Sequence, residues 1–188
     1  AMTETGLKEV KNPSAIFLKR GSEPVPGSLV TATWEGTRPL LVEVQALVDE
    51  CRSGHPRRVA VGLDGNRLAM LLAVLHRHGG VQTFDQDVFL NVVGGVRVLE
   101  TSADLAQLLA VLSSLKNRPL ATDMIAFGEV GLAGELRPVP NGQERLKEAS
   151  KHGFKRAIVP AGNAPKAKVG GMKVLAVRSL AEALSAAY

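Results

Sequence analysis

Val59-Ala60-Val61-Gly62-Leu63-Asp64-Gly65-Asn66-Arg67-Leu68-Ala69-Met70-Leu71-Leu72-Ala73-Val74-Leu75 is the stretch that decides the fold class. Its first five residues form a short apolar run of the length and β-branched character of a strand. Asp64-Gly65-Asn66 is a turn and helix-cap cluster. From Leu68 to Leu75 the chain continues as a helix apolar on every side, hence central, until Gly79-Gly80. Asp87 to Val93 then reads as another strand, so the stretch is the core of a βαβ unit.

Working outward, the segment before it alternates with period two from Ser28, placing Val30, Ala32 and Trp34 on one face. A turn through Glu35-Gly36-Thr37-Arg38-Pro39 leads to Leu40, Val42, Val44 and Ala46 in the same alternation, which is a β-hairpin. Residues 1–27, with Pro24 close to Pro26, form a lead-in segment whose Ala15-Ile16-Phe17-Leu18 run is expected to dock on the domain proper, residues 28–188. Ala1 and Met2 read as a cloning remnant and the remainder as part of a longer protein. Beyond the βαβ unit, Thr101-Ser102-Ala103-Asp104 caps a second apolar helix, Leu105 to Leu115. Met124 to Val130 reads as a strand, Gln143 to His152 as a helix, Ala157 to Pro160 and Val174 to Val177 as strands, and Ser179 to Ala187 as a closing helix. The alternation predicts an α/β (α+β) domain with one mixed sheet covered by helices.

The chain has 188 residues, 45% hydrophobic and 22% charged, the size and balance of one globular domain. Its longest apolar run, Leu68 to Leu75, is less than half of the ~20 residues that a membrane span needs, and no signal segment opens it. A single cysteine, Cys51, excludes an internal disulfide and suits a reducing compartment, so the expected location is the cytoplasm, with no membrane partner. Lys and Arg number 23 against 18 Asp and Glu, a net of +5 that leans toward an anionic partner. Aromatic residues are 4% and none sits in a basic cluster, so nucleic acid would be gripped through phosphate rather than stacked bases.

No phosphate-binding loop and no Gly-x-Gly-x-x-Gly follows a strand, and Gly128, Gly131 and Gly134 read as a turn. His76 and His78 lie two apart on a helix, face different directions and read as solvated. No Gly-x-Ser-x-Gly elbow occurs. The basic residues form groups: Arg57 and Arg58 before a strand, Arg67 at a helix start and Arg77 at that helix's end. Further groups are Lys147, Lys151, Lys155 and Arg156, then Lys166, Lys168, Lys173 and Arg178. The last two groups read as solubilising faces. A cation at a helix N-terminus opposes the macrodipole, so Arg67 requires an anion or a carboxylate beside it.

Several segments resemble the part that follows the ATPase core in the bacterial RadA (Sms) DNA-repair family. They are Gly6-Leu7-Lys8-Glu9-Val10, Asn12-Pro13-Ser14, Phe17-Leu18, Trp34-Glu35-Gly36-Thr37-Arg38-Pro39-Leu40, Asn66-Arg67-Leu68-Ala69, Leu75-His76-Arg77-His78-Gly79 and Asn91-Val92-Val93-Gly94-Gly95. The resemblance implies a C-terminal domain similar to the proteolytic domain of Lon, including a left-handed βαβ connection against the usual rule. It also implies a parent with an N-terminal zinc finger and a RecA-like ATPase. The parent would drive branch migration as a hexameric ring in recombinational repair, beside a recombinase of the RecA type. ATP, Mg and Zn would belong to those other parts, leaving this chain without a cofactor.

Lon-like proteases pair a Ser nucleophile with a Lys amine. The stretch similar to their Asp-Gly-Pro-Ser-Ala-Gly is Asp64-Gly65-Asn66-Arg67-Leu68-Ala69, which puts Arg67 at the nucleophile's place, where a guanidinium cannot attack a carbonyl. Counting on from Gly128-Glu129-Val130-Gly131-Leu132-Ala133-Gly134 and Pro138 lands on Gln143 at the place of the Lys, where an amide cannot accept the proton. The resemblance thus implies a kept fold and a lost protease: a ring scaffold and a surface for duplex or branched DNA. Arg57, Arg58, Arg67, Arg77 and Arg97 are the candidate phosphate contacts, Arg97 because it follows the Gly94-Gly95 turn. The rivals are an oligomerisation module without DNA contact and a peptidase using Ser102, Ser113 or Ser114 with Lys116.

Overall fold

The computed structural model describes residues 2–4, 6–18 and 23–188, with Ile16 and Phe17 described by their backbone alone. Ala1, half of the expected cloning remnant, lies outside the described residues. In chain order the elements begin with a small ribbon of β1 (Met2–Thr3) and β2 (Gly6–Leu7), then α1 (Pro13–Phe17), β3 (Ser28–Glu35), β4 (Arg38–Glu50), β5 (Arg58–Val61), α2 (Gly65–Gly79), β6 (Gln86–Val92) and α3 (Asp104–Leu115). They continue with β7 (Met124–Ala126), β8 (Glu129–Val130), β9 (Leu136–Arg137), α4 (Gly142–Lys151), β10 (Arg156–Pro160), β11 (Lys173–Val177) and α5 (Leu180–Ala186).

Seven strands make one mixed sheet in the order β11-β10-β7-β3-β4-β6-β5. The hairpin β3–β4 is its antiparallel centre, in the register Glu35↔Arg38 across the tight turn. β5 and β6 pair in parallel with α2 between them in the chain, as the βαβ pattern predicts. β7 and β10 pair in parallel through α4. Helices cover both sheet faces. α2, α3 and α5 pack with Leu29, Val44, Val88, Leu90, Ala126 and Ile158 on one; Leu146 and Ala149 of α4 pack with Ala32, Leu41, Phe127 and Val159 on the other.

Five expectations change. α2 is not apolar all round: Leu68, Leu71, Leu72, Val74 and Leu75 are buried while Met70 is 46% exposed. The fully enclosed helix is α3, buried from Asp104 to Ser113. Residues 101–104 do not cap that helix by a side chain; Thr101–Ala103 form a 3-10 turn and Asp104 is already helical. The expected strand from Met124 to Val130 is two, because β8 leaves the main sheet to pair with β9. The hairpin is buried on both faces, since Leu29, Thr31 and Thr33 are enclosed as well as Ala32. The strand expected over residues 59–63 spans Arg58–Val61.

The lead-in segment docks through α1. Asn12 caps it by accepting from Ala15 N, and the buried Ser14 hydroxyl accepts from Leu41 N in β4 and donates to Glu148 of α4. The His152 ring, at the end of α4, bridges the Glu148 carbonyl and Asn12 Oδ1.

Candidate functional site

The C-terminal end of β5, the start of α2 and the loop from Val96 to Thr101 enclose a cleft of about 820 Å³. Its polar wall comprises Asp64, Arg67, Arg97, Glu100, Asp104 and Gln107. Asp64 caps α2 by accepting from Arg67 N at 3.0 Å. The Arg67 guanidinium reaches across to α3 and forms a two-point ion pair with Asp104, one arm being Nε to Oδ1 at 2.7 Å. Asp104 Oδ2 also accepts from Val130 N at 3.0 Å, so the pair ties α2 to α3 and to the start of the β8–β9 ribbon. The carboxylate that the macrodipole demanded is therefore Asp104. Burial pushes the Asp104 carboxyl up, against the pull of Arg67 and of the Val130 amide, while Asp104 raises the Arg67 guanidinium.

A second ion pair, likewise with one fully buried partner, also reaches the cleft wall. Arg145 of α4 is 0% exposed and donates to both oxygens of Glu100, to the Ala32 carbonyl and to the Pro140 carbonyl. Glu100 also accepts from the Thr33 and Ser102 hydroxyls and from Trp34 N. Burial alone would raise Glu100, but the bonds from Arg145, Ser102 and Trp34 outweigh it and hold the carboxyl below its ordinary range. At the floor Gln107 is 4% exposed and its Oε1 has no hydrogen-bond partner. Among the described residues no group of three His, Cys, Asp or Glu side chains could hold a metal ion.

The five candidate arginines are not one surface. Arg57 pairs with Asp87 at 2.7 Å and stacks over Phe89, although its side chain is 64% exposed. Arg58 donates to the carbonyls of Arg57, Thr83 and Gln86, stitching the edge strand to its neighbours. Arg67 is committed to Asp104. Arg77 and Arg97 are exposed, and neither guanidinium has a partner among the described residues. Gln143 is exposed in the first turn of α4 and is not one of the residues lining the cleft. The rival serines are occupied: Ser102 donates to Glu100, Ser113 accepts from Gly27 N and donates to the Arg118 carbonyl, and Ser114 accepts from Val48 N. Lys116 lies over the Tyr188 ring instead.

Sequence reasoning missed Glu100 and Arg145. A charged residue on the apolar side of a helix, between Gly142 and Leu146, is the signal that could have found Arg145.

A family model described as subunit ChlI of Mg-chelatase matches residues 68–163, which include α2 from Leu68 onward, α3, α4 and the Arg145–Glu100 pair, while Arg67 lies just before the match. The chain belongs to that family. Curated relatives extend the match over the whole chain. A Pseudomonas aeruginosa protein named DNA repair protein RadA is 71% identical over 187 residues, which is 100% of this chain and 41% of that protein. Proteins of the same name from Escherichia coli and Bacillus subtilis are 69% and 47% identical, over 98% and 97% of this chain and 40% of each relative. The chain thus spans about two-fifths of the length of the curated relatives it matches. No helix among the described residues is long and apolar enough to cross a membrane.

Proposed function

We propose that this chain is the non-catalytic, Lon-protease-like domain of a RadA-type DNA-repair protein, working in the cytoplasm as a ring-forming scaffold and a surface for duplex DNA. The observation that carries it is the 71% identity, along the full chain, to a protein named for DNA repair. The loss of protease chemistry is supported by the side chain at the nucleophile's place: Arg67 has no nucleophilic function and is tied to Asp104. ATP hydrolysis, branch migration, zinc and a RecA-type recombinase belong to the rest of the parent, with a homohexameric ring as the assembly. Within the candidate set, the guanidiniums of Arg77 and Arg97 are exposed without a partner among the described residues, whereas the exposed Arg57 is held by Asp87.

The second reading, an oligomerisation module without DNA contact, is favoured by the internal pairing of Arg57, Arg58 and Arg67. One titration separates the two. Anisotropy of a labelled duplex at several salt concentrations is expected to show binding that weakens as salt rises, at a log–log slope of about −0.9 per neutralised phosphate. An assembled ring by native mass measurement, with no duplex binding at the low salt of about 50 mM where phosphate contacts are strongest, selects the second reading. Cleavage of unfolded casein, abolished by Ser102→Ala, overturns the non-catalytic assignment.

A further inference from the structure

The sequence places Lys147, Lys151, Lys155, Lys166, Lys168 and Lys173 in two separate runs; the fold merges them. α4 buries Arg145, Leu146 and Ala149 against the sheet and leaves Lys147 and Lys151 exposed one turn apart. The loop after β10 runs along this helix from one end to the other. Near its start, Asn163 lies so close to Gly142 that a Cβ there would meet its Nδ2 at 2.5 Å. Near its end, Gly170, at φ +52°, sits against the Ser150 hydroxyl, where any larger residue would collide. Val169 and Met172 anchor the loop in the same apolar cluster as Leu146 and Ala149. Lys166 and Lys168 therefore lie beside the helix that carries Lys147 and Lys151. Lys155 and Lys173 close the row, because Lys173 N donates to the Lys155 carbonyl at 2.8 Å where β11 starts beside β10.

All six lysines are exposed, and none of their ammonium groups makes a hydrogen bond or an ion pair among the described residues. The acidic groups nearby do not neutralise them. Asp123 pairs with Arg156, and Glu148 accepts from Ser14 and approaches His152, leaving Glu144 as the exposed carboxylate of α4. Ammonium groups one helical turn apart, roughly 6 Å by the helix rise, with Lys166 and Lys168 on the loop beside them, match a run of backbone phosphates rather than a single small anion. Lysine also suits such a contact, being a compact point charge that needs no fixed planar partner.

We infer that this lysine row on α4 and the 163–173 loop, and not the arginine set at the β5–α2 corner, is the principal phosphate-gripping surface for duplex nucleic acid. The inference rests on the proposed DNA role and assigns it a place.

The test uses this chain with a labelled duplex, measuring anisotropy over a series of salt concentrations. Three proteins are compared: the parent sequence, Lys147→Gln/Lys151→Gln/Lys166→Gln/Lys168→Gln, and Arg57→Gln/Arg77→Gln/Arg97→Gln. Circular dichroism melts check that each variant folds. The expected result is a salt slope lowered by about 4 in the lysine variant, about 1 per lost phosphate contact, with binding by the arginine variant little changed. Binding lost in the arginine variant and kept in the lysine variant overturns the inference while leaving the DNA role intact. No binding by the parent sequence at low salt overturns the DNA role itself, and the inference with it. Displacement of the duplex by poly-glutamate at equal total charge would overturn the commitment to nucleic acid and make the row an acidic-polypeptide surface.

Discussion

Two basic regions of this domain differ in what their charges do. At the β5–α2 corner and in the cleft most guanidiniums are already paired, Arg57 to Asp87, Arg58 to backbone carbonyls, Arg67 to Asp104 and Arg145 to Glu100, while Arg77 and Arg97 stay exposed. On α4 and the neighbouring loop the ammoniums are turned outward and have no partner among the described residues. A planar fork with several fixed donors can satisfy a buried carboxylate and several carbonyls at once, whereas an ammonium on a flexible stem retains its water. The lesson is that a basic cluster in a sequence counts charges, and only the fold says whether those charges are already used.

This contrast can be broken most decisively at the buried pair. Glu100→Ala leaves the enclosed Arg145 without its carboxylate and is expected to cost about 3–5 kcal/mol, read as a large fall in the urea midpoint. An unchanged midpoint would mean that Arg145 does not depend on Glu100 for its burial. Arg67→Ala, which strands the Asp104 carboxylate between α2 and α3, is expected to cost about 3 kcal/mol and to leave duplex affinity within twofold. The reverse pattern, stable folding with lost affinity, would return Arg67 to the DNA surface.

Acid sharpens the comparison. Glu100 is held below its ordinary value of 4.5, so its contribution is present above that pH and is lost as pH falls through the lower folded value. Asp104, held above its ordinary value of 3.8 by burial, acts in the opposite sense. A Glu100→Gln variant is therefore expected to show a flatter fall in thermal midpoint below pH 4.5 than the parent. A parallel fall in both proteins would show that Glu100 is not the group responsible. The smallest effect belongs to the lysine row: the fourfold Gln variant is expected to keep its stability within about 0.5 kcal/mol per site, as exposed unpaired charges do. A larger loss would show that these lysines hold the loop to α4.

Much of the scaffold was legible because its signals are local. The alternation in residues 28–46, the Asp64 cap before Leu68 and the Ser179 cap before α5 each depend on neighbours within a turn. The exchange of rank between α2 and α3 was not legible, since both carry similar Leu-Ala runs and their burial depends on which has the sheet beneath it. The need of Arg67 for a carboxylate could be read from the helix dipole, but not that Asp104 supplies it from another helix. Glu100 and Arg145 lie far apart in the chain and meet only once α4 crosses the hairpin. The lysine row was hidden for the same reason: residues 163–170 lie along α4 only through the packing of Val169 and Met172.

The docking of α1 has a mechanical consequence. Asn12 and Ser14 are fastened to His152, at the end of α4, and to Glu148 within it, and Ser14 also to the Leu41 amide at the centre of the sheet. Tension applied through the residues before Asn12 would thus be delivered to the helix that bears Lys147 and Lys151, up to the limit that these few hydrogen bonds can carry. The lead-in segment is a tether whose far end is the lysine row, so force on one and load on the other share a single short linkage.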